Sequence, residues 1–557
     1  MGHTSGEITT DYSAAEPGMA DPNMPDYESA RSTFAWTRSG KYNFARDVID
    51  KWADADPDKH ALLWRDDSGH EERRTFADIR SISNKLCNVL KSDGVKRGDV
   101  VILLLGRVPQ WWETFTACLR MGAVVSPGTT QLSARDLLYR ITASRAVCVV
   151  TDHANADKVD QIASDCSSLR VKYIIGAARG GWKSYADALA GASDEYETAD
   201  TESDENAICF FTSGTTGYPK MCIHTHDYAL GHRITGEFWL DLKPDDLHWN
   251  ISDTGWAKAA YSSYFGPWLC GTELFVHDAQ KFNAAQILDL LQKYPITTMC
   301  GAPTVYRMLV QEDLSRYKFQ KLRHCVGAGE PLNPEVIEVW KSATGLTIRD
   351  GYGQTENVIL CANFPCLEAR YGSMGKPSPG YDVQIIDEAG DPLPANREGD
   401  IAVSIVPERP PGMFKEYKDA PEKNAEVVRG NWYITGDRAY KDNDGYFWFI
   451  GRADDVILSA GYRIGPFEVE SALLEHPAVA ESAVVASPDE TRGHVVMAFV
   501  VLATGYGASD GLKEELKEHV KRLTAPYKYP RKVEFVSQLP KTVSGKIRRV
   551  ELREGIW

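Results

Sequence analysis

Apolar runs alternate with helical patterns along the first two thirds of the chain. Residues 100–105 form a continuous apolar run that ends at Gly106, as is typical of a strand buried in a parallel sheet. A helical pattern follows at 112–121, and further apolar runs predict strands at 147–150, 173–175, 208–211 and 297–300. Because strands that alternate with helices pack as layered sheets with crossover helices, this part of the chain is predicted to have an α/β fold.

The pattern changes twice further along the chain. Between residues 380 and 405, short alternating runs with Gly and Pro turns predict a small antiparallel β subdomain. After 451–455 come a helical pattern at 466–476, strand patterns at 482–486 and 495–502, and an amphipathic helix with Leu512, Leu516, Val520 and Leu523 on its apolar face. We therefore expect a polar, aperiodic N-terminal surface arm (1–40), a large domain of layered α/β subdomains plus the small β subdomain (41–453), and a small α+β C-terminal domain (454–557).

Composition and charge indicate which classes of protein this chain can belong to. The chain has 557 residues, 43% hydrophobic and 25% charged, which is typical of a soluble enzyme with several domains. The formal net charge of −16 argues against a nucleic acid as the main partner. No window approaches the roughly 18 apolar residues of a spanning helix, so no membrane span is expected. A homodimer is left open as the assembly.

Targeting and cysteine patterns favour a reducing compartment. The N-terminus has no basic start followed by an apolar run, and it lacks the Arg-rich, acid-poor character of a mitochondrial transit peptide. The eleven cysteines are scattered, without a CxxC pair or a common zinc spacing, and we interpret them as reduced, mostly buried thiols. The expected location is cytoplasmic.

The strongest local signal for chemistry directly follows the predicted strand at 208–211. It is a loop of hydroxyls, glycines and one lysine: Thr212, Ser213, Gly214, Thr215, Thr216, Gly217, Tyr218, Pro219 and Lys220. Glycines let backbone N–H groups close around phosphate oxygens, hydroxyls donate further hydrogen bonds, and the lysine adds positive charge. The loop lacks the GxxxxGK[ST] spacing of the common P-loop, and the alternative is a Gly/Thr-rich surface turn. We favour a site for a nucleotide phosphate.

This loop, TSGTTGYPK, resembles the phosphate-loop signature of the acyl-adenylate-forming enzymes, which include acyl-CoA synthetases, amino-acid adenylation domains and luciferases. The resemblance extends from about residue 40 to the end of the chain. The stretches ISDTGWAK (251–258) and GRADDVILSAGYRIGPFEVE (451–470) look most like medium-chain acyl-CoA synthetases. The resemblance implies an AMP-forming carboxylic acid:CoA ligase that uses ATP, Mg²⁺ and CoA. Residues 41–453 would be its AMP-binding domain, and 454–557 a mobile domain that rotates between acyl-AMP formation and acyl transfer to CoA.

The resemblance also implies a nucleotide site. The family motif that holds the nucleotide matches Asp350, Gly351, Tyr352, Gly353, Gln354, Thr355 and Glu356, where Tyr352 stacks on adenine, Thr355 binds the α-phosphate and Glu356 coordinates Mg²⁺. Gly329, Glu330 and Pro331 match a companion loop beside the adenine. Asp437 matches an aspartate that accepts the ribose hydroxyls, and Arg452 an arginine on ribose and phosphate. Lys546 matches the lysine that bridges the substrate carboxylate and the α-phosphate, so the expected catalytic residues are Lys546, Thr355 and Glu356.

The same resemblance implies a hinge and a path for CoA. Asp454 matches the hinge of the family. The segment Ala460, Gly461, Tyr462 and Arg463 is expected to swing toward the site and line this path. Further candidates for CoA contacts are Gln131, Arg492, Lys521 and Tyr529, with a solvated surface side chain as the alternative.

The acyl pocket is assigned to Trp256, Gly327 and Gly353. Trp256 is expected to form an aromatic wall, with an ordinary core tryptophan as the alternative. In the acetate-specific branch of the family a tryptophan stands at the position of Gly353, so glycine predicts an open channel and a preference for acids of about four to ten carbons. Other functions left open are adenylation of an aromatic acid, adenylation for a carrier protein, and an inactive nucleotide-binding regulator. The last is disfavoured by four intact residues, Lys220, Glu356, Asp437 and Lys546.

Overall fold

Two large sheets, both parallel at their centres, form the body of the molecule, whose computed structural model describes residues 21–212, 218–459, 462–489, 492–541 and 547–555. The first sheet has nine strands in the order Lys376–Pro377, Ile359–Ala362, Ile348–Gly353, His324–Ala328, Thr298–Gly301, Leu247–Ile251, Glu273–Asp278, His60–Asp66 and Glu71–Thr75. Its six central strands are parallel, and antiparallel strands close both edges.

The second large sheet carries the predicted phosphate loop. Its eight strands follow the order Glu416–Tyr417, Lys220–Thr225, Asn206–Thr212, Val124–Pro127, Val100–Leu104, Cys148–Asp152, Val171–Ile175 and Lys183–Ser184. Strand Asn206–Thr212 is parallel to Val124–Pro127 and antiparallel to Lys220–Thr225. The phosphate loop therefore connects two strands of a hairpin, and the predicted α/β fold is confirmed.

Helices connect the parallel strands. The α-helices before residue 430 are Tyr27–Thr33, Lys51–Ala55, Phe76–Ser92, Pro109–Met121, Ala134–Ser144, His153–Asp160, Tyr185–Ala190, Tyr228–Arg233, Ala257–Ala260, Gly266–Leu269, Ala284–Lys293, Pro303–Leu309, Pro334–Thr344 and Pro421–Glu426. π-Helical turns lie at Ala45–Asp50, Ile234–Trp239 and Tyr261–Phe265, and 3₁₀ turns at Ala163–Asp165 and Leu314–Arg316. Helix Phe76–Ser92 begins with a capping box in which Thr75 and Asp78 each accept the other's backbone N–H. Among the described helices, none is long and apolar enough to cross a membrane.

Two smaller sheets follow. The β subdomain is antiparallel in the order Val383–Ile386, Gly399–Ser404, Trp432–Lys441 and Val428–Arg429, with Phe447–Arg452 also paired to Trp432–Lys441. The C-terminal sheet has the order Tyr462–Ile464, Ile457–Ser459, Gly493–Leu502 and Val479–Asp489, with Lys532–Phe535 also paired to Gly493–Leu502. Helices Pro466–Leu474, Asp510–Leu523 and Arg549–Glu554 complete it. Leu512, Leu516 and Val520 are buried as the pattern predicts, whereas Leu523 is about half exposed because it lies in the last turn of its helix.

Residues 21–40 do not form a simple surface arm. They include a helix, and Met24 and Tyr27 are buried. The Tyr27 hydroxyl donates to the Pro377 carbonyl at 2.8 Å, and Trp36 Nε1 donates to the Gly380 carbonyl at 2.9 Å. The aperiodic pattern missed this attachment because a few single anchors, rather than a repeated apolar face, hold the segment.

All eleven cysteines are free thiols. Nine are buried and two are half-buried. Burial raises the pKa of Cys87 and of Cys209 to about 12. These thiols are therefore protonated at neutral pH and poorly reactive, in line with the reduced, buried cysteines that the sequence predicts.

Candidate active site

Strand pairing and tyrosine packing fix the base of the phosphate hairpin. Thr212 and Lys220 face each other across it. Tyr218 is 60% exposed and stacks on the Tyr139 ring at 4.5 Å, while the Tyr139 hydroxyl donates to the Pro219 carbonyl at 2.9 Å. Five predicted phosphate-loop residues between Thr212 and Tyr218 lie outside the described residues: Ser213, Gly214, Thr215, Thr216 and Gly217. The four described members of the loop thus lie together at one end of the hairpin.

One tyrosine contacts both the predicted phosphate lysine and the predicted metal carboxylate. Lys220 Nζ lies 4.1 Å from the centre of the Tyr417 ring. The Tyr417 hydroxyl donates to Glu356 Oε1 at 2.7 Å, and the Glu356 carbonyl accepts the Phe414 N–H at 2.7 Å. Sequence reasoning missed Tyr417, which lies in a two-residue strand without a hydropathy signal.

A buried histidine holds the backbone of the predicted α-phosphate residue. Burial lowers the pKa of His224 to about 3, so its ring is neutral at pH 7. Its Nε2 lies 2.7 Å from the Thr355 carbonyl, which only accepts, so Nε2 carries the proton and donates. The hairpin strand Lys220–Thr225 is therefore joined directly to the nucleotide motif. Sequence reasoning missed this residue too.

Asp437 is the point where the nucleotide motif meets the β subdomain. Its carboxylate accepts the Tyr352 hydroxyl at 2.6 Å and Gln354 Nε2 at 2.7 Å. Arg452 Nε lies 3.4 Å from the other carboxylate oxygen, because Asp437 and Arg452 are paired on adjacent strands. Asp437 is only 4% exposed, so these donors stabilise a buried negative charge. Four predicted nucleotide residues thus form one cluster.

Asp350 and Gly351, the first two residues of the nucleotide motif 350–356, are buried in the core. Burial raises the pKa of Asp350 to about 8, against the opposing effects of the Gly351 N–H and the Lys258 charge. Lys258 is itself buried, and its Nζ donates to the Gly301 and Ala328 carbonyls at 2.8 Å each. A Cβ on Gly351 would lie 2.6 Å from the Trp239 ring, so this glycine permits a close approach. Sequence reasoning quoted Lys258 within ISDTGWAK but assigned it no role.

The companion loop at 329–331 is tied to a neighbouring helix. Gly329 has φ +103°, a conformation that favours glycine. The Glu330 carboxylate accepts the Thr304 hydroxyl at 3.0 Å and pairs with Arg307 at 3.0 Å. Pro331, which follows, is half-buried. The loop is therefore held in place by helix Pro303–Leu309.

The loop that carries Trp256 packs on the loop that carries Gln131. A Cβ on Gly255 would lie 2.0 Å from the Thr129 nitrogen, and the Thr129 hydroxyl donates to Asp253 at 2.9 Å. Trp256 is half-buried and Gln131 is exposed. The predicted acyl wall and one predicted CoA contact thus lie on adjoining loops.

The space beside Gly353 is filled by backbone atoms and is not the open channel that the sequence predicts. A Cβ there would lie 2.2 Å from the Val358 carbonyl oxygen, a backbone atom, at a register shift between two strands. Glycine is needed at this position so that the two backbones can approach. At Gly327, by contrast, a Cβ would make ordinary 3.6 Å contacts with Ile348 and Leu332 side chains.

Gly353→Ala is therefore expected to destabilise the protein by about 1–3 kcal/mol, the usual cost of overpacking. It should also lower activity on short and long acids alike. Gly327→Ala is the matched control and should change stability by less than about 1 kcal/mol. Urea unfolding of both variants checks the stability, and kcat/KM over an acid series checks the activity. A Gly353→Ala variant with native stability and a changed chain-length order would restore the channel interpretation.

An ion network surrounds the predicted hinge. The Asp454 carbonyl accepts Arg553 Nη1 at 2.9 Å, and the same nitrogen pairs with the Asp455 carboxylate at 3.0 Å. Arg549 contacts Asp455 at 3.8 Å and both oxygens of the buried Glu470 at 2.8 Å. The final helix, Arg549–Glu554, is thus attached to the chain just after strand Phe447–Arg452.

The predicted CoA residues lie mostly on the C-terminal domain, in two places. Tyr462 is half exposed and stacks on Tyr527 at 4.3 Å. Tyr529 lies between the cations of Lys521 at 4.3 Å and Arg531 at 4.9 Å. Separately, the Arg492 N–H donates to Asp489. Ala460, Gly461, Lys546 and the Arg463 side chain lie outside the described residues.

Comparison with known proteins agrees with this geometry. The family model for AMP-binding enzymes matches residues 49–417, and the model for their C-terminal domain matches 468–546. The chain is 52% identical to human acyl-coenzyme A synthetase ACSM3, mitochondrial, over 96% of this chain and 93% of the relative. It is 53% identical to the rat ACSM4 enzyme, over 93% and 91%.

Solved structures lead to the same group of enzymes. The anthranilate CoA ligase AuaEII in complex with anthranoyl-AMP superposes with a TM-score of 0.86 at 30% identity, over 93% of this chain and 98% of that chain. A Brucella canis acyl-CoA synthetase gives a TM-score of 0.74 at 35% identity, over 96% and 99%.

The expected cytoplasmic location is wrong. The ACSM3 and ACSM4 relatives, more than half identical to this chain, are named as mitochondrial. Transit peptides share an overall composition rather than a fixed sequence, so the acidic character of the first residues was a poor basis for assigning a compartment.

The predicted class of activity, an AMP-forming acyl-CoA synthetase, is confirmed by these relatives. Its characteristic motifs come together around Asp437, Thr355 and Lys220. On this geometry and on two family models that match most of its length, the chain belongs to the AMP-binding enzyme family.

Proposed function

We propose that this protein converts a medium-chain fatty acid, or a related carboxylic acid, to its CoA thioester in the mitochondrion. The acyl-CoA synthetases of this family use ATP and CoA. The observation that carries the proposal is the convergence of the phosphate hairpin, the motif 350–356, Asp437 and Arg452 through direct contacts. The mitochondrial location is supported by the names of the relatives.

The nucleotide is proposed to bind at the Asp437 cluster. The carboxylate already accepts two neutral donors, Tyr352 and Gln354, so ribose hydroxyls would exchange with these donors without exposing an unpaired charge. Tyr352 offers an aromatic face for adenine. Thr355 and Lys220 are the proposed partners of the phosphates, because both flank the hairpin whose loop resembles a phosphate loop.

Glu356 is the proposed ligand of Mg²⁺. This ion is usually held by one or two carboxylates plus phosphate oxygens and water. A single carboxylate beside the phosphate hairpin fits that donor set, and the described residues contain no group of three or more His, Cys, Asp or Glu able to cage a metal. When bound, Mg²⁺ supplies positive charge that offsets the charge of the phosphate oxygens.

The proposed reaction has two half-reactions. In the first, a substrate carboxylate oxygen attacks the α-phosphorus of ATP, the bond to pyrophosphate breaks, and acyl-AMP forms. Thr355 and Lys546 stabilise the charge that develops on the α-phosphate. In the second, the CoA thiolate attacks the acyl carbon and AMP leaves. Because the reaction passes through the high-energy intermediate acyl-AMP, one difficult condensation is replaced by two easier steps.

We further propose that residues 454–557 rotate about Asp454 between these steps. Asp454 lies two residues after the end of strand Phe447–Arg452, and its carbonyl accepts a hydrogen bond from Arg553 of the last helix. In the second state, two groups of residues would contact CoA. They are the segment around Tyr462 and the group formed by Tyr529, Lys521 and Arg531. Tyr462 is half exposed, which is consistent with a face that is covered only in that state.

A pool of acids tests the proposed substrate class. Equimolar acetate, hexanoate, octanoate, benzoate and anthranilate are incubated with ATP, Mg²⁺ and CoA, and the thioesters are quantified by mass spectrometry. Hexanoyl- and octanoyl-CoA should dominate, because each buried methylene contributes about 0.8 kcal/mol, or about fourfold per carbon.

Two other results would contradict this substrate class. A product mixture dominated by benzoyl- or anthraniloyl-CoA would favour an aromatic-acid ligase, the alternative supported by the likeness to the anthranilate CoA ligase. Pyrophosphate release without any CoA thioester would indicate another acyl acceptor, such as a carrier protein.

A further inference from the structure

We propose that Tyr417 is a positioning residue that keeps Glu356 and Lys220 apart and correctly oriented to receive Mg²⁺ and ATP. The inference rests on the proposed function and adds to it a residue outside every motif found in the sequence. It is drawn from two contacts of the Tyr417 side chain, that of its ring face with Lys220 and that of its hydroxyl with Glu356.

The position of Tyr417 is set by its backbone. Its N–H donates to Asn424 Oδ1 at 2.7 Å, and Asn424 Nδ2 donates back to the Tyr417 carbonyl at 2.8 Å. The residue also pairs with Cys222 on the hairpin strand. Because these contacts involve only the backbone of Tyr417, they fix the position from which its side chain extends. Substitutions of the side chain should therefore leave the backbone in place.

The side chain then contacts two opposite charges. The ring lies under the Lys220 ammonium at 4.1 Å, a cation–π distance, and the hydroxyl donates to Glu356 Oε1 at 2.7 Å. Among the residues that the structure describes, the ammonium of Lys220 forms no ion pair with a carboxylate. The aromatic face thus stabilises the lysine without neutralising it.

This arrangement has a consequence for ligand binding. Without the ring, Lys220 and Glu356 carry opposite charges on the same side of the site and would attract each other. The carboxylate would then be shielded from Mg²⁺ and the ammonium from phosphate. With the ring in place, the hydroxyl also fixes the carboxylate orientation, as outer hydrogen-bond partners of metal ligands commonly do.

The test uses two variants of the full-length enzyme. Tyr417→Phe removes the hydroxyl and keeps the ring, whereas Tyr417→Leu removes both. Tyr264→Phe is the matched control, since it deletes a buried hydroxyl that shares a 2.8 Å hydrogen bond with Thr116 in the core. Binding of ATP is measured by calorimetry over a Mg²⁺ titration without any acid substrate, and binding of AMP is measured in EDTA.

Tyr417→Phe should raise the Mg²⁺ concentration for half-maximal ATP binding by about 10–100-fold, the usual effect of losing a partner of a metal ligand. Its AMP affinity in EDTA should stay within about twofold of wild type. Tyr417→Leu should also weaken ATP binding at the start of the titration, before Mg²⁺ is added, because Lys220 loses its contact with the aromatic ring. Tyr264→Phe should change neither.

The inference is overturned if Tyr417→Phe has the Mg²⁺ dependence of wild type, or if its AMP and ATP affinities fall together with its melting temperature. The latter pattern would indicate a merely structural role. A wild-type enzyme whose ATP binding does not depend on Mg²⁺ would overturn the proposed metal role of Glu356 and the inference with it.

Discussion

Replacing Lys546 with alanine is expected to slow acyl-AMP formation by about 10²–10³-fold, the typical cost of removing one group that stabilises transition-state charge. The same variant should convert supplied acyl-AMP and CoA to the thioester at nearly the wild-type rate. The reason is that two anions, the substrate carboxylate and the α-phosphate, approach each other only in the first half-reaction. Pyrophosphate release and single-turnover thioester formation measure the two steps separately.

The base of the loop that carries Lys546 provides a matched control. Lys541 and Ile547, which lie on either side of the segment that carries Lys546 in the sequence, pair as an antiparallel bridge. Lys541 pairs with Glu481 at 2.7 Å, and both side chains are about 40% exposed. Lys541→Ala should therefore change either rate by less than about threefold, since exposed ion pairs contribute under about 1 kcal/mol. Equal loss of both half-reactions in Lys546→Ala would instead indicate a folding defect.

Acidification from pH 6.5 to 5.5 is expected to lower the free energy of unfolding by about 2–3 kcal/mol. Burial lowers the pKa of His277 and His519, and more strongly that of five other histidines. The pKa of these five falls to about 3 for His224 and His324, to about 4 for His226 and His248, and well below the usual value for His232. They stay neutral in the folded state, whereas in the unfolded chain they bind protons below about pH 6.5. Because the unfolded state binds more protons, stability is present above that pH and is lost as the pH falls.

Buried carboxyls with a raised pKa act in the opposite direction, among them Asp350 and Asp278. Burial raises the pKa of Asp350 to about 8 and that of Asp278 to about 6, so in this window the folded state retains protons that the unfolded state releases. The expected uptake on unfolding is thus about two protons rather than more than three. Urea midpoints at pH 6.5 and 5.5, with calorimetry in buffers of different ionisation enthalpy, measure both quantities. Stability that is unchanged or higher at pH 5.5 would show that the buried histidines are protonated in the folded protein.

Hydropathy predicted much of the fold because it records burial directly. The run at 100–105 became the fully buried strand Val100–Leu104, and the alternating runs at 383–386 and 400–403 became paired strands of the β subdomain. The phosphate loop was found from residue types that directly follow a buried strand, whereas Asp437 was found only from the match to the family that this loop resembles. The contacts that join Asp437 to Tyr352 and Gln354 follow from the topology of the fold, which no local pattern contains.

The residues that sequence reasoning missed or misinterpreted depend on contacts between distant segments. Tyr417 reaches Glu356, sixty-one positions earlier, and His224 reaches Thr355, 131 positions later. Neither has a distinctive neighbour in sequence. Gly353 illustrates a different limit: the sequence shows that a side chain is missing, but only the backbone around Val358 shows which direction that side chain would have taken.

The burial of the native thiols makes the proposed rotation about Asp454 testable by fluorescence. With nine cysteines buried and two half-buried, maleimide dyes should react first with cysteines introduced at exposed positions. Met308 on the large domain and Tyr506 on the C-terminal domain are both more than 40% exposed. A donor and acceptor pair at these two positions would report, molecule by molecule, how often the C-terminal domain changes orientation during a catalytic cycle, without first removing any cysteine from the core.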